Sequence, residues 1–131
     1  MKIAVITGAS SGLGEQFALK IDALRPEIEE IWLIARRKEK LLELSKKINK
    51  KVRVLALDVT KDECLYEYVE QLKETGAQVQ ILINNAGFGR LGDFDTISKD
   101  DNAGMVRLNC EALTVMTSLT LPFMDKGAEI L

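Results

Sequence analysis

One short stretch constrains this chain more than any other: Thr7-Gly8-Ala9-Ser10-Ser11-Gly12-Leu13-Gly14. It follows the apolar run Ile3-Ala4-Val5-Ile6 and precedes an amphipathic helical pattern, so a buried strand turns through three glycines directly into a helix N-terminus. Glycine takes positive φ without strain and lets an anion approach the main chain. The N–H groups of the first helical turn, with the positive end of the helix dipole, then point at that anion. Ser10 and Ser11 add hydroxyl donors. Small residues in such a turn also serve merely to pack a helix on a strand, and the Gly8, Gly12, Gly14 spacing is neither G-x-G-x-x-G nor a P-loop. With no Gly-Lys-Ser/Thr following, a Walker-type triphosphate site is not expected. The context of the turn carries the argument further.

That context is an alternation of strands and helices. Leu13, Phe17, Ala18, Ile21 and Leu24 recur at helical spacing up to Pro26, and the apolar run Ile31–Ala35 forms a second strand. Leu41, Leu44 and Ile48 mark a second helix, and Val52–Leu57 a third strand. Cys64, Leu65, Tyr68, Val69 and Leu72 mark a third helix ending near Gly76, with Thr60 as its expected cap, and Val79–Ile83 a fourth strand. Phe88–Asp101 has turn chemistry and reads as a loop beside the strand ends. A single long helix is expected from about Asn102 to Met124, with Met105, Leu108, Ala112, Met116, Leu119 and Phe123 on its core stripe and Val106, Leu113 and Val115 widening its apolar face. Ala128-Glu129-Ile130-Leu131 reads as the start of a fifth strand.

This order implies an α/β fold of the Rossmann type: a doubly wound parallel sheet with helices on both faces, truncated at the start of the fifth strand. Residues 1–131 are read as a single dinucleotide-binding domain, with 47% hydrophobic and 29% charged residues, as in ordinary globular protein. A formal charge of −2 gives no sign of nucleic acid or an anionic membrane as partner, and no apolar run reaches the ~20 residues of a membrane span. Cytoplasmic residence is the expectation. Cys64 and Cys110 are expected to be buried free thiols, and the absence of histidine excludes Ser-His-Asp or Cys-His catalysis and histidine-based zinc sites.

In such sheets ligands bind beyond the carboxyl ends of the strands. The glycine turn, Arg36, Asp58 and Asn85 close the first four strands. A dinucleotide whose pyrophosphate lies on the first turn lays its adenosine ribose across the second strand's end, where an acidic residue holds the free 2′-hydroxyl. This chain has Arg36, followed by Arg37 and Lys38. A guanidinium grips a 2′-phosphate through paired charge-assisted hydrogen bonds, which favours NADP over NAD. The plainer reading, solvated residues opening a helix, is weakened because cations are slightly unfavourable at a helix N-terminus. Asp58 can accept from an adenine amino group or cap the following helix; with Thr60 as the better cap, Asp58 is left for the ligand. Asn84 and Asn85 can stabilise a turn.

At these residues the chain resembles the short-chain dehydrogenase/reductase family. Thr7 to Gly14 is similar to its TGxxxGxG turn, Asp58-Val59 to the pair after its third strand, Asn84-Asn85-Ala86-Gly87 to its NNAG motif, and Ala35-Arg36-Arg37 to its NADP-preferring members. The resemblance implies that Gly8, Ser10, Ser11, Gly12, Leu13 and Gly14 hold the pyrophosphate and that Arg36 and Arg37 hold the 2′-phosphate. It further implies that Asp58 and Val59 border the adenine, and that Asn85, Ala86 and Gly87 border the ribose and the path to the nicotinamide. Asn109 falls at the family's catalytic asparagine, where it would help organise a water-linked proton relay; otherwise it is a polar residue kinking a helix. The implied activity is NADP(H)-dependent hydride transfer between nicotinamide and a small carbonyl or alcohol substrate.

The match stops short of the family's catalytic serine and its Tyr-x-x-x-Lys pair. Tyr66 and Tyr68 have Glu70 and Leu72 four residues on, so neither supplies the general acid and its lysine partner. Catalytic inactivity of the chain alone is therefore expected, as is self-association through the unpartnered sheet edge and the wide apolar helix. Two other readings stand beside the enzyme: a non-catalytic dinucleotide-binding or sensing module, and a methyltransferase, which wants an acidic residue where Arg36 lies. A folding fragment that retains no binding is the remaining alternative.

Overall fold

A computed structural model describes residues 1–10 and 12–131. Five strands form one parallel sheet: β1 (Lys2–Thr7), β2 (Glu30–Ala35), β3 (Lys51–Ala56), β4 (Gln78–Ile83) and β5 (Glu129–Ile130), in the order β3-β2-β1-β4-β5. The chain leaves β1 towards β2 on one side and returns to β4 on the other, which opens a crevice at the carboxyl ends of β1 and β4. Helices α1 (Gly12–Leu24) and α2 (Lys38–Ser45) cover one face, while α3 (Asp62–Thr75) and α5 (Leu113–Thr120) cover the other; α4 (Lys99–Val106), which leads towards α5, buries no residue.

The central strand β1 and its neighbour β2 are buried almost throughout and are nearly continuous apolar runs because both faces are covered, whereas the edge strand β3 carries Lys51 and Arg53. Ile3, Val5, Trp32 and Ile34 join Leu65, Tyr68, Leu72 and Met116 in one core layer; Ala4, Ile6, Ile31 and Leu33 join Ala18, Ile21, Leu41 and Leu44 in the other. A register shift in the β1–β4 pairing skips Gln80, so Val79 and Ile81 face opposite layers although they are two residues apart. Trp32 and Tyr68 meet edge to face at 6.3 Å, and the Tyr68 hydroxyl pairs with Thr120 Oγ1 at 2.9 Å, tying α3 to α5.

Several expectations need correction. The long helix begins earlier, at Lys99, where the Ser98 side chain accepts from Asp101 N–H, so the loop ends before Asp101. It is not uniformly α-helical: Arg107–Ala112 is a π-helical segment between α4 and α5, and after Thr120 the chain tightens into a 3₁₀ turn, Leu121–Phe123, around Pro122. Thr60 does not cap α3, whose N-cap is Lys61, with no side-chain cap bond. Cys110 is exposed, on the outer side of the π-helical segment, and only Cys64 is packed against the core; both are free thiols. Leu13 and Leu24, at the two ends of the α1 stripe, are exposed. Among the described residues no helix is long and apolar enough to cross a membrane.

Candidate functional site

The glycine turn owes its shape to contacts with the end of β4. Thr7, 2% exposed, donates its hydroxyl to Ile83 O and accepts from Asn85 N–H at 3.1 Å and Ala86 N–H at 3.0 Å. Asn85 Nδ2 in turn donates to Gly8 O at 3.0 Å. These bonds hold the two strand ends so close that side chains are excluded. A Cβ on Gly8, which sits at φ 62°, would lie 2.8 Å from the Ala86 backbone, and one on Gly14 would lie 2.2 Å from Gly8 O. Gly12, at φ 58°, meets nothing, so its role is conformational: it lets the chain turn from the strand into α1.

Above this junction lies a cavity of about 540 Å³. Gly8, Ser10 and Leu13 form its floor, and exposure of Leu13, the first apolar residue of the α1 stripe, follows from its position there. Ile34 to Arg37 line the β2 side, Leu57 to Thr60 the β3 side and Asn85 to Phe88 the β4 side. Gly104, Arg107 and Leu108, from α4 and the π-helical segment, close the remaining wall. Of the residues singled out in the sequence, Gly8, Ser10, Leu13, Arg36, Arg37, Asp58, Val59, Asn85, Ala86 and Gly87 therefore surround one space. Gly12 and Gly14 shape the turn without lining the cavity, and Ser11 lies outside the described residues.

Asp58 is more committed than its sequence context suggests. Its Oδ1 accepts from both Thr60 N–H at 3.0 Å and Thr60 Oγ1 at 2.6 Å, so Thr60 secures Asp58 instead of capping α3. Burial pushes the Asp58 carboxyl up, but the two Thr60 bonds and the charges of Arg36 and Lys61 together hold it below the usual carboxylate range. It is an anion at neutral pH, and Oδ2 accepts no bond among the described residues.

Asn109 does not line the cavity. Its Oδ1 accepts from Phe88 N–H at 2.9 Å and its Nδ2 donates to Phe88 O at 2.7 Å, so both ends of the amide clamp the backbone that leaves β4. A Cβ on Gly87 would sit 2.9 Å from the same Oδ1. The neighbouring Asn84 donates from Nδ2 to Thr117 Oγ1 at 3.0 Å, which fastens the end of β4 to α5 instead of bonding the backbone of a turn, and its Oδ1 is buried without a partner among the described residues. Sequence reasoning missed Phe88, Gly104, Arg107 and Leu108. Gly104 lets the Phe88 ring approach, since a Cβ there would lie 3.2 Å from it.

The site also carries unpaired positive charge among the described residues. Of six arginines in the chain, Arg25, Arg53 and Arg90 are ion-paired; among the described residues Arg36, Arg37 and Arg107 have no hydrogen-bond or ion-pair partner, and all three line this cavity. Three unpaired guanidiniums around a space of ligand size make a site for an anion.

A family model for short chain dehydrogenases matches residues 2–130. An 11-beta-hydroxysteroid dehydrogenase of Pinus massoniana is 32% identical over 130 residues, 95% of this chain and 36% of the relative. Among solved structures, the KRED1-Pglu enzyme superposes with a TM-score of 0.85 at 27% identity, covering 97% of this chain and 53% of its own. A short-chain dehydrogenase from Sphingobium yanoikuyae in complex with NADPH gives 0.77 at 30% identity, covering 93% and 48%. The chain thus spans about half the length of these structures, and a smaller share of the pine relative.

Proposed function

The chain belongs to the short-chain dehydrogenase family, and from that premise we propose that it is the NADP(H)-binding portion of an oxidoreductase acting on a small carbonyl or alcohol substrate. The observation that carries this reading is the placement of Arg36 and Arg37, unpaired, at the end of β2 on the wall of the cavity. The glycine turn at the start of α1 holds the pyrophosphate through backbone N–H groups and Ser10, with Ser11 and Gly12 in the same turn. Arg36 and Arg37 take the 2′-phosphate through charge-assisted hydrogen bonds. Asp58 offers its free Oδ2 to the adenine amino group beside Val59, and Asn85, Ala86 and Gly87 border the path towards the nicotinamide end. When bound, the nicotinamide supplies or accepts the hydride.

Asn109 acts in this reading as a positioning residue. Its amide is committed to Phe88, so it fixes the β4 exit and the π-helical segment against each other rather than touching substrate. The proton donor is not among these residues. Tyr68 is buried between Trp32 and Thr120, and burial raises its hydroxyl pKa above the ordinary tyrosine value, while Tyr66 is exposed on α3 away from the cavity. The 131 residues by themselves therefore bind cofactor without turning over carbonyl substrates. Self-association belongs to the same proposal, because Val106, Leu113 and Leu121 leave three large apolar side chains exposed between α4 and the turn after α5; a concentration-independent monomer in light scattering contradicts it.

Calorimetric titration tests the cofactor assignment. The wild-type chain is expected to bind NADPH at least tenfold more tightly than NADH, and Arg36→Asp to remove that preference. Equal affinity of the wild-type chain for both dinucleotides overturns the choice of NADP. Tight NADPH binding that alters affinity for a protein partner, with no turnover by any longer form, favours the sensing module instead.

A further inference from the structure

The formal charge of −2 conceals an uneven distribution. Residues 36–53, which include α2 and the first half of β3, hold nine of the 18 lysines and arginines but two of the 20 acidic residues. Of this block only Lys47 and Arg53 have an ion-pair partner among the described residues. Lys46, Lys50 and Lys51 follow one another from the C-cap of α2 to the first residue of β3, at the end of the strand away from the cavity. β3 is also the last strand on its side of the sheet. In a parallel pair the N–H and C=O of one residue point to the same side, and successive residues alternate. Leu57 N–H bonds Ala35 O at 3.0 Å, so Lys51, Arg53 and Leu55 direct their backbone groups at β2, while Val52, Val54 and Ala56 direct theirs outward. Among the described residues nothing bonds these outward N–H and C=O groups.

From this placement we infer that the open edge of β3 is a docking surface for an acidic segment of another protein, which adds to the sheet as a further strand. The inference is independent of the dinucleotide reading. Outward donors and acceptors repeating at strand spacing are matched by a second extended peptide, which supplies both kinds of group. A sugar-phosphate backbone offers anionic acceptors but no N–H donors at that spacing. The lysines decide the sign of the partner. They repel a second copy of the same edge and any basic strand, and they attract carboxylates spaced along an added one. Arg53 is already held by Glu30 at 3.2 Å and Gln71 at 2.6 Å, so the charge available to a partner is that of the lysines.

The probe is a fluorescein-labelled peptide alternating glutamate with valine, compared with the same peptide carrying lysine for glutamate and with an oligouridylate. Anisotropy titrations of the chain are expected to show saturable binding of the glutamate peptide and binding of the other two weaker by about tenfold or more. The glutamate peptide should be released as salt rises to about 0.5 M. Lys46→Glu combined with Lys51→Glu, both exposed, is expected to weaken that peptide about tenfold with the thermal transition unchanged. Amide hydrogen exchange separates strand addition from charge attraction alone. With the glutamate peptide present, exchange should slow at Val52, Val54 and Ala56 and stay as it was at Arg53 and Leu55, which already face β2. Val54→Pro, which removes an outward N–H and no ladder bond, should abolish binding. No binding of the glutamate peptide, equal or tighter binding of the lysine peptide or the oligouridylate, or binding without slowed exchange at Val52, Val54 and Ala56 overturns the inference and leaves the dinucleotide reading untouched.

Discussion

The junction of β1 with β4 and the open end of β2 face the same cavity but are built in opposite ways. At the junction the side chains are spent on holding the two strand ends together: the Thr7 hydroxyl serves three backbone groups, Asn85 holds Gly8, and Gly14 has no room for a methyl group. At the β2 end Arg36 and Arg37 are exposed and unpaired among the described residues. The first region gains its form from the fold, and a ligand only completes it. The second contributes little to the fold, and its cations acquire partners when an anion arrives. Shape and preference are therefore separable here: one set of residues decides that a pyrophosphate fits, and another decides which dinucleotide carries it.

Substitutions at the junction should cost stability first. Gly14→Ala drives a Cβ to 2.2 Å from a carbonyl oxygen that cannot retreat without breaking its bond to Asn85. A loss of about 3 kcal/mol or more is expected in urea unfolding. Tolerance of that alanine with little loss would break the contrast. Thr7→Val keeps the volume and removes both the acceptor for Asn85 and Ala86 N–H and the donor to Ile83 O. Leaving these groups unpaired in a partly buried setting should cost about 2 kcal/mol, again read in urea, with cofactor binding weakened in parallel. Arg36→Asp should change stability by no more than about 0.5 kcal/mol, since an exposed, unpaired side chain is exchanged, while moving cofactor preference most.

The smallest effect expected is on pH dependence, through Asp58. Its folded pKa is depressed, so its contribution to stability is fully present above the unfolded carboxyl value, about pH 4. That contribution is lost as pH falls through the lower folded value. Asp22 behaves in the same direction: burial raises its carboxyl, but Asn49 and Lys50 N–H groups lower it below the ordinary range. Asp58→Asn is therefore expected to flatten part of the acid limb of a stability profile and not all of it. An unchanged acid limb in Asp58→Asn would show that Thr60 and Arg36 do not stabilise the ionised form.

The fold and most of the cavity were legible in the sequence because parallel strands buried on both faces read as apolar runs, and because their carboxyl ends bring distant turn residues to one place. Arg36 and Asp58 could be found from position alone. What stayed hidden depends on exact helix phase and on pairing between side chains. Gly104, Arg107 and Leu108 reach the cavity from a helix read only as a core stripe, and Leu108 does both jobs. No residue type marks the π-helical segment, so neither the exposure of Cys110 nor the direction of Arg107 followed from periodicity. Thr60 satisfies the residue-type rule for a helix cap, yet α3 starts one residue later, with Lys61 in the cap position, and the Thr60 hydroxyl donates to Asp58. Asn109 was recognised by its place in the chain, but its clamp on Phe88 could be seen only in three dimensions.

Whether the cavity above the glycine turn is where NADPH binds can be asked residue by residue. Titrating the ¹⁵N-labelled chain with NADPH and following amide resonances should give saturable shifts concentrated at Gly8, Ser10, Leu13, Arg36, Asp58 and Asn85 to Gly87, with Arg36 and Arg37 moving far less for NADH. Shifts absent from the glycine turn, or identical for the two dinucleotides at the end of β2, would contradict the assignment of this site to NADP(H).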